Sequence, residues 1–178
     1  MMFVSLGIGT VIAVALILIV SLLTNASSKS SSQPPSALVG TTVRSFHVSG
    51  LNGGVVRAPW ASGHAGVLIF FASWCGPCKS EMPKVAAYLR THATTPVQVV
   101  GVDVNDQRTA AQSFVRRDGV SFAVAFDPNG AITTGIFQFA TVPETVFVNA
   151  RGVVENVYFG AIPKSQLVSG LHALQSAA

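Results

Sequence analysis

From about position 38 onwards, apolar residues follow two alternating patterns, one typical of strands and one typical of helices. Residues 67–73 form a mostly apolar run rich in β-branched and aromatic side chains, as in a strand that is buried on both faces. Comparable runs predict further strands at 97–104, 122–126, 144–149 and 153–159. Helical spacing of apolar side chains predicts helices at 75–90, 107–117 and 164–174, and a short helix ending near Ile136.

Two short connections predict antiparallel hairpins, one at each end of this pattern. Residues 43–48 alternate apolar and polar side chains, glycines 53 and 54 supply a turn, and residues 55–57 resume the strand. Near the end of the chain, only residues 150–152 separate two strands, which must therefore run antiparallel. The complete order predicts an α/β sheet covered on both faces, whose ligand crevice lies at the carboxyl ends of the parallel strands.

The N-terminal part of the chain contains a long uncharged stretch. Residues 3–23 carry no charged side chain, and a span of roughly 20 apolar residues matches a helix that crosses a bilayer. A cleaved export signal is the alternative, but its apolar core is usually shorter, so the length favours an uncleaved anchor. We therefore expect a transmembrane anchor or uncleaved signal at 1–24, a flexible serine- and proline-rich linker at 25–37, and one domain at 38–178.

Charge and histidine content argue against two classes of partner. The formal net charge is +4, and the basic residues are scattered, with Arg116 and Arg117 as the one adjacent pair. Aromatic side chains do not interleave with them, so we expect no nucleic-acid binding. The histidines share no ligand spacing, and we expect no metal site. They are His47, His64, His92 and His172.

Cys75 and Cys78 are the only cysteines of the chain, and they lie where the apolar strand at 67–73 passes into a helix. Unpaired N–H groups and the positive end of the helix dipole at that position stabilise an anion such as a thiolate, which is the nucleophile of disulfide exchange. A structural zinc site needs further ligands at matching spacing, and a structural disulfide across so short a loop would restrict the unfolded chain very little. The pair therefore predicts a redox-active dithiol that needs no bound cofactor.

Two motifs resemble the thioredoxin superfamily. The first is Trp74-Cys75-Gly76-Pro77-Cys78, followed by Lys79 and Pro83, and the second is Thr141-Val142-Pro143-Glu144-Thr145 before a strand. With the apolar N-terminus, they are similar to the membrane-tethered branch of the TlpA, ResA and DsbE type. The resemblance implies a thioredoxin-like fold with an N-terminal β-hairpin and a central helix–strand insertion, preceded by one transmembrane helix.

The same resemblance implies a role for each matching residue. Cys75 would be the attacking thiol and Cys78 the resolving thiol, while Gly76 and Pro77 would set the turn between them. Trp74 would cover the site. Val142 and Pro143 would face the disulfide across a cis peptide bond, leaving the backbone free to pair with an extended substrate.

Departures from the thioredoxin pattern leave two questions open. Ile69 stands where thioredoxin has a buried acid that assists proton removal from the resolving thiol. Glu81 shares a helix face with Cys78 and is either the replacement or an ordinary surface carboxylate. Glu144 is either a second site acid or a charge at the start of a strand. The pair between the cysteines is that of thioredoxin itself, rather than the one typical of cytochrome-maturation proteins, so the direction of electron flow stays open.

The function expected from these features is extracytoplasmic thiol–disulfide exchange with protein thiols and disulfides of the cell envelope, in the context of cytochrome c maturation. A single-pass anchor, a membrane electron donor or acceptor and a monomeric state are expected with it. The alternatives are an oxidative, disulfide-forming variant and a non-catalytic tethered domain that binds extended peptides. A peroxidase of the peroxiredoxin kind is disfavoured because Ala72 and Ser73 replace its Pro and Thr pattern.

Overall fold

The computed structural model describes residues 36–92, 94–139 and 141–177. The predicted anchor at 1–24 and nearly all of the linker at 25–37 lie outside these residues. Within them, no helix combines the length and the apolar character that crossing a bilayer requires.

Within the described residues, seven strands and three α-helices follow one another in close agreement with the predicted order. The strands are β1 His47–Ser49, β2 Val55–Arg57, β3 Gly66–Phe71, β4 Gln98–Val104, β5 Ala123–Asp127, β6 Glu144–Val148 and β7 Val154–Phe159. The helices are α1 Gly76–Thr91, α2 Arg108–Arg117 and α3 Lys164–Ser176, with a 3-10 turn at Pro59–Ser62.

Five strands form one mixed sheet in the order β5-β4-β3-β6-β7, and β1 and β2 form a separate hairpin. Strands β3, β4 and β5 run parallel, while β6 and β7 join as an antiparallel pair. The fully buried strand β3 lies at the centre, because its apolar run tolerates burial on both faces. The last residue of β3, Phe71, pairs with Asp103 of β4, which brings the carboxyl ends of these two strands together.

All three helices pack on the same face of the sheet. Met82 of α1, Phe114 of α2 and Leu167 of α3 belong to one buried cluster with Val67, Ile69 and Phe71 of β3. Helices that connect successive parallel strands in the same direction lie on one face because such crossovers are right-handed. Both faces of the sheet are covered, as predicted, but in the part of the chain that the structure describes the α-helices lie on one face.

The opposite face of the sheet is covered by irregular segments. Leu68 and Phe70 of β3 pack there against Phe46, Ile132 and Phe137. The predicted short helix ending near Ile136 is wrong, since residues 131–136 form turns. Gly130, with a positive φ of 70°, and Gly135 lie in this segment, and glycine disfavours a continuous helix.

Candidate functional site

The site is built on the junction between β3 and α1. Cys75 is the N-cap of α1, and it forms a disulfide with Cys78 in the first helical turn. The Cys78 backbone N–H donates to Cys75 Sγ at 3.1 Å, so an unpaired amide of the helix end points at this sulfur. Cys75 is 4% exposed and Cys78 is fully buried, at 0%. Cys75 is therefore the more accessible of the two cysteines.

The second motif lies directly beside this disulfide. The Val142–Pro143 peptide bond is cis, as predicted. The Cys75 sulfur lies 3.6 Å from the carbonyl oxygen of Val142. The two motifs are more than sixty residues apart in the sequence, and the pairing of β3 with β6 brings them into contact.

Trp74 forms an exposed wall next to the disulfide. Its side chain is 59% exposed, and its indole Nε1–H donates to the carbonyl oxygen of Asn105 at 3.1 Å. Trp74, Asn105, Thr134 and Val142 are among the residues around a small cavity of about 100 Å³. This surface of aromatic, hydroxyl and backbone groups is suited to contact with a peptide.

Glu81 is buried, so its interpretation as a surface carboxylate is wrong. The side chain is 5% exposed, and its Oε1 accepts a hydrogen bond from the backbone N–H of Ile162 at 2.9 Å. Burial raises the pKa of Glu81 to about 7, and the Ile162 bond opposes only part of that rise. A cleft of about 470 Å³ between α1 and the start of α3 is lined by Glu81, Lys84 and Lys164. Glu81 thus combines a pKa near neutrality with a cleft at its side.

Glu144 is also buried, but its side chain points to the other face of the sheet. Its register partner Phe70 belongs to the core on the face without helices, and paired residues share a face. Oε1 accepts a hydrogen bond from the Thr141 hydroxyl at 2.9 Å, and Oε2 has no partner among the described residues. Burial raises the pKa of Glu144 to about 7. The structure therefore does not bring Glu144 to the helix face on which Cys78 lies.

Two aspartates near the site were not predicted to take part in it. Asp106 accepts hydrogen bonds from the Ser73 backbone N–H at 2.5 Å and the Ser73 hydroxyl at 3.0 Å. Asp103 is completely buried near the end of β4. The signal that could have identified both was their position at the carboxyl end of a strand parallel to the one that leads into Cys75.

No group of three or more metal-ligating side chains occurs within residues 36–92, 94–139 and 141–177.

Residues 39–157 match the AhpC/TSA family, and the chain belongs to that family. The thiol-disulfide oxidoreductase ResA of Bacillus subtilis is 27% identical over 128 residues, which cover 72% of this chain and 71% of ResA.

Two solved structures extend the comparison. The dsbF structure from MTB has a TM-score of 0.65 at 29% identity and covers 79% of this chain and 99% of that one. A secreted Mycobacterium tuberculosis disulfide oxidoreductase homologous to E. coli DsbE has a TM-score of 0.63 at 26% identity, with 72% and 96% covered. With the disulfide at the start of α1, these relatives confirm the predicted class, a thiol–disulfide oxidoreductase of thioredoxin-like fold.

Proposed function

We propose that the chain is a membrane-tethered reductase that transfers electrons from Cys75 and Cys78 to protein disulfides outside the cytoplasm. The observation that carries the proposal is the disulfide at the N-terminus of α1, with Cys75 as its outer sulfur and the cis-proline loop alongside. The uncharged stretch at residues 3–23 supports the tether, and residues 25–37 supply the linker.

In the proposed reaction, the Cys75 thiolate attacks one sulfur of a substrate disulfide, which breaks that bond and releases the other substrate sulfur as a thiolate. The Cys78 thiolate then attacks the Cys75 sulfur of the mixed disulfide and expels the second substrate thiolate. The Cys75–Cys78 disulfide is left behind, and the substrate has gained two electrons. A dithiol donor that receives its electrons across the membrane would reduce the enzyme again.

Glu81 is the group that we propose to accept the proton of Cys78. It lies one helical turn beyond Cys78 on the same helix, both side chains are buried, and its pKa of about 7 is suited to accepting and releasing a proton near neutrality. The cleft beside Lys84 offers water a route to the carboxyl group. Glu144, on the other face, is proposed instead to hold the cis-proline loop through Thr141.

The charges near the dithiol support the proposed reductive direction. Glu81, once deprotonated, and the Asp106 carboxylate bound to Ser73 both oppose a thiolate. A less stable thiolate makes the reduced form less favourable, which lowers the reduction potential. The Gly76-Pro77 pair, shared with thioredoxin, supports the same direction.

Extended protein segments that contain a disulfide are the substrates we propose. Val142 and its cis bond to Pro143 leave backbone groups next to Cys75, where a substrate strand can pair. The resemblance to proteins of the TlpA, ResA and DsbE type supports cytochrome c maturation as the process.

The test uses the full chain expressed in a bacterial host, with Cys75→Ser and Cys78→Ser as matched variants. We expect Cys78→Ser to accumulate mixed disulfides with envelope proteins after acid quenching, because its resolving thiol is missing. The Cys75→Ser protein should form none and should be inactive. Labelling of Cys75 by a membrane-impermeant maleimide in intact cells tests the location. Full activity of Cys75→Ser would overturn the proposal.

A further inference from the structure

Asp103 is the most unusual buried group of the described chain. Its side chain is fully buried in the sheet between Phe71 of β3 and Phe126 of β5, its register partners on the same face. Among the described residues, neither of its carboxylate oxygens has a hydrogen-bond donor. A buried carboxylate without a donor is strongly disfavoured, so the group requires an explanation.

The charged groups around Asp103 do not supply a donor. Arg108 of α2 donates through one nitrogen to the carbonyl oxygens of Gly50 and Leu51, and its guanidinium carbon lies 4.0 Å from the centre of the Phe126 ring. Asp127 of β5 is itself negative, and it is already bound by Ile132 and Thr133. Arg108 lowers the pKa of Asp103, but burial, Asp106 and Asp127 together raise it to about 8.

After burial, the charge of Asp106 in the loop after β4 and a side-chain hydrogen bond with it contribute most to the raised pKa of Asp103. Two ionised carboxylates can only accept hydrogen bonds, so they can form a hydrogen bond with each other only when one of them carries a proton. Asp106 in turn holds the residue two positions before Cys75, through the backbone N–H and hydroxyl of Ser73. Its neighbour Asn105 holds Trp74 through the indole N–H. The end of β4 therefore anchors the segment that leads into the reactive sulfur.

We propose that Asp103 is a positioning residue for disulfide exchange, holding a proton that it donates to Asp106, so that the pair fixes Ser73, Trp74 and hence Cys75 in place. The proposal rests on the proposed exchange at Cys75, but the anchor itself can be observed without any activity. Above about pH 8 Asp103 loses this proton, the two negative charges repel each other, and the anchor on Ser73 loosens.

The test follows the anchor by NMR in the oxidised full-length protein in nonionic detergent, with ¹⁵N in serine and tryptophan. In this form the cysteines do not titrate. The Ser73 amide and the Trp74 indole N–H should shift together with a midpoint near pH 8. Asp103→Asn should abolish this transition, since its amide donates to Asp106 at every pH. Asp118→Asn, another buried aspartate, at the C-terminal end of α2, should leave the transition unchanged.

Exchange kinetics of the reduced protein at pH 7 give a second readout. Asp103→Ala removes the donor and should slow the attack of Cys75 on a disulfide roughly tenfold, as expected for a small displacement of a reacting group. Asp103→Asn should recover most of that loss.

Two outcomes would overturn the shared proton: no transition of Ser73 and Trp74 between pH 7 and 9, or the same transition in Asp103→Asn. Equal rates for the alanine and asparagine variants would overturn the positioning role. If the alanine variant fails to fold, the titrations of the wild-type and asparagine proteins still test whether Asp103 shares a proton with Asp106. None of these results depends on Cys75→Ser, whose activity tests the proposed function separately.

Discussion

Replacing Glu81 with glutamine removes a buried acid while keeping its volume and an oxygen that can accept the Ile162 N–H. In the native protein, burial raises the pKa of this carboxyl from 4.5 to about 7. At about 1.4 kcal/mol per pH unit, the difference corresponds to roughly 3 kcal/mol of unfolding free energy. This is an upper estimate, because side chains around a newly charged group relax and admit water.

The sign follows from proton binding in the two states. Between pH 4.5 and about 7 the unfolded chain has released the Glu81 proton while the folded protein still holds it. The free energy of unfolding therefore falls as the pH rises through this window, and above it the loss is complete. The glutamine variant lacks this loss. The free energy of unfolding of the variant minus that of the native protein should therefore increase by up to roughly 3 kcal/mol between pH 4.5 and pH 8.

The assay is urea denaturation of the oxidised full-length protein in nonionic detergent, followed by circular dichroism at several values between pH 4.5 and 8. Glu155→Gln is the matched control, because Glu155 is the exposed glutamate of the described chain. Parallel profiles for native and Glu81→Gln proteins would show that Glu81 is ionised normally, and the proposed proton acceptor would then lose its physical basis.

Three further changes have defined outcomes. Glu144→Gln should also stabilise the protein at pH 8 relative to pH 5, because the pKa of Glu144 is raised to about 7, and the Thr141 hydrogen bond can persist; denaturation at the two pH values checks this. Gly170→Ala should lower the free energy of unfolding by about 1–3 kcal/mol, since its new Cβ would overlap the Phe147 ring; a urea titration measures it. Trp74→Ala should lower the free energy of unfolding by less than about 1 kcal/mol, because the side chain is largely exposed. The same variant should reduce protein disulfides more slowly, with a smaller effect on a small disulfide, and rate constants for both substrates test this.

The sequence was sufficient to predict those structural features that depend on one local pattern. The apolar run of β3 and the following cysteine pair predicted the strand, the helix and the disulfide at their junction, because burial and helix-end chemistry are local properties. The predicted helix near Ile136 failed where glycines and hydrogen bonds to Asp127 compete with helical spacing.

The environment of the acids could not be predicted, because it depends on segments far apart in the chain. Glu81 is buried by the loop that carries Ile162, eighty-one residues later, and its spacing from Cys78 is equally compatible with exposure. The pairing of β4 with β3 brings the segment with Asp103 and Asp106 next to Ser73, where Asp106 accepts its hydrogen bond. Local spacing identifies the nucleophile, whereas tertiary packing decides which acids can hold protons beside it.

The reduction potential of the Cys75–Cys78 couple tests the central claim most directly. Native protein would be equilibrated at pH 7 in buffers of defined thiol and disulfide ratio, quenched with acid, alkylated and counted by mass spectrometry, with Cys75→Ser as the blank. A reductase whose reduction potential is lowered by nearby carboxylates should have a potential close to that of thioredoxin, roughly −270 mV. A potential above about −150 mV would mark an oxidant of the DsbA kind and contradict the proposed direction of electron flow.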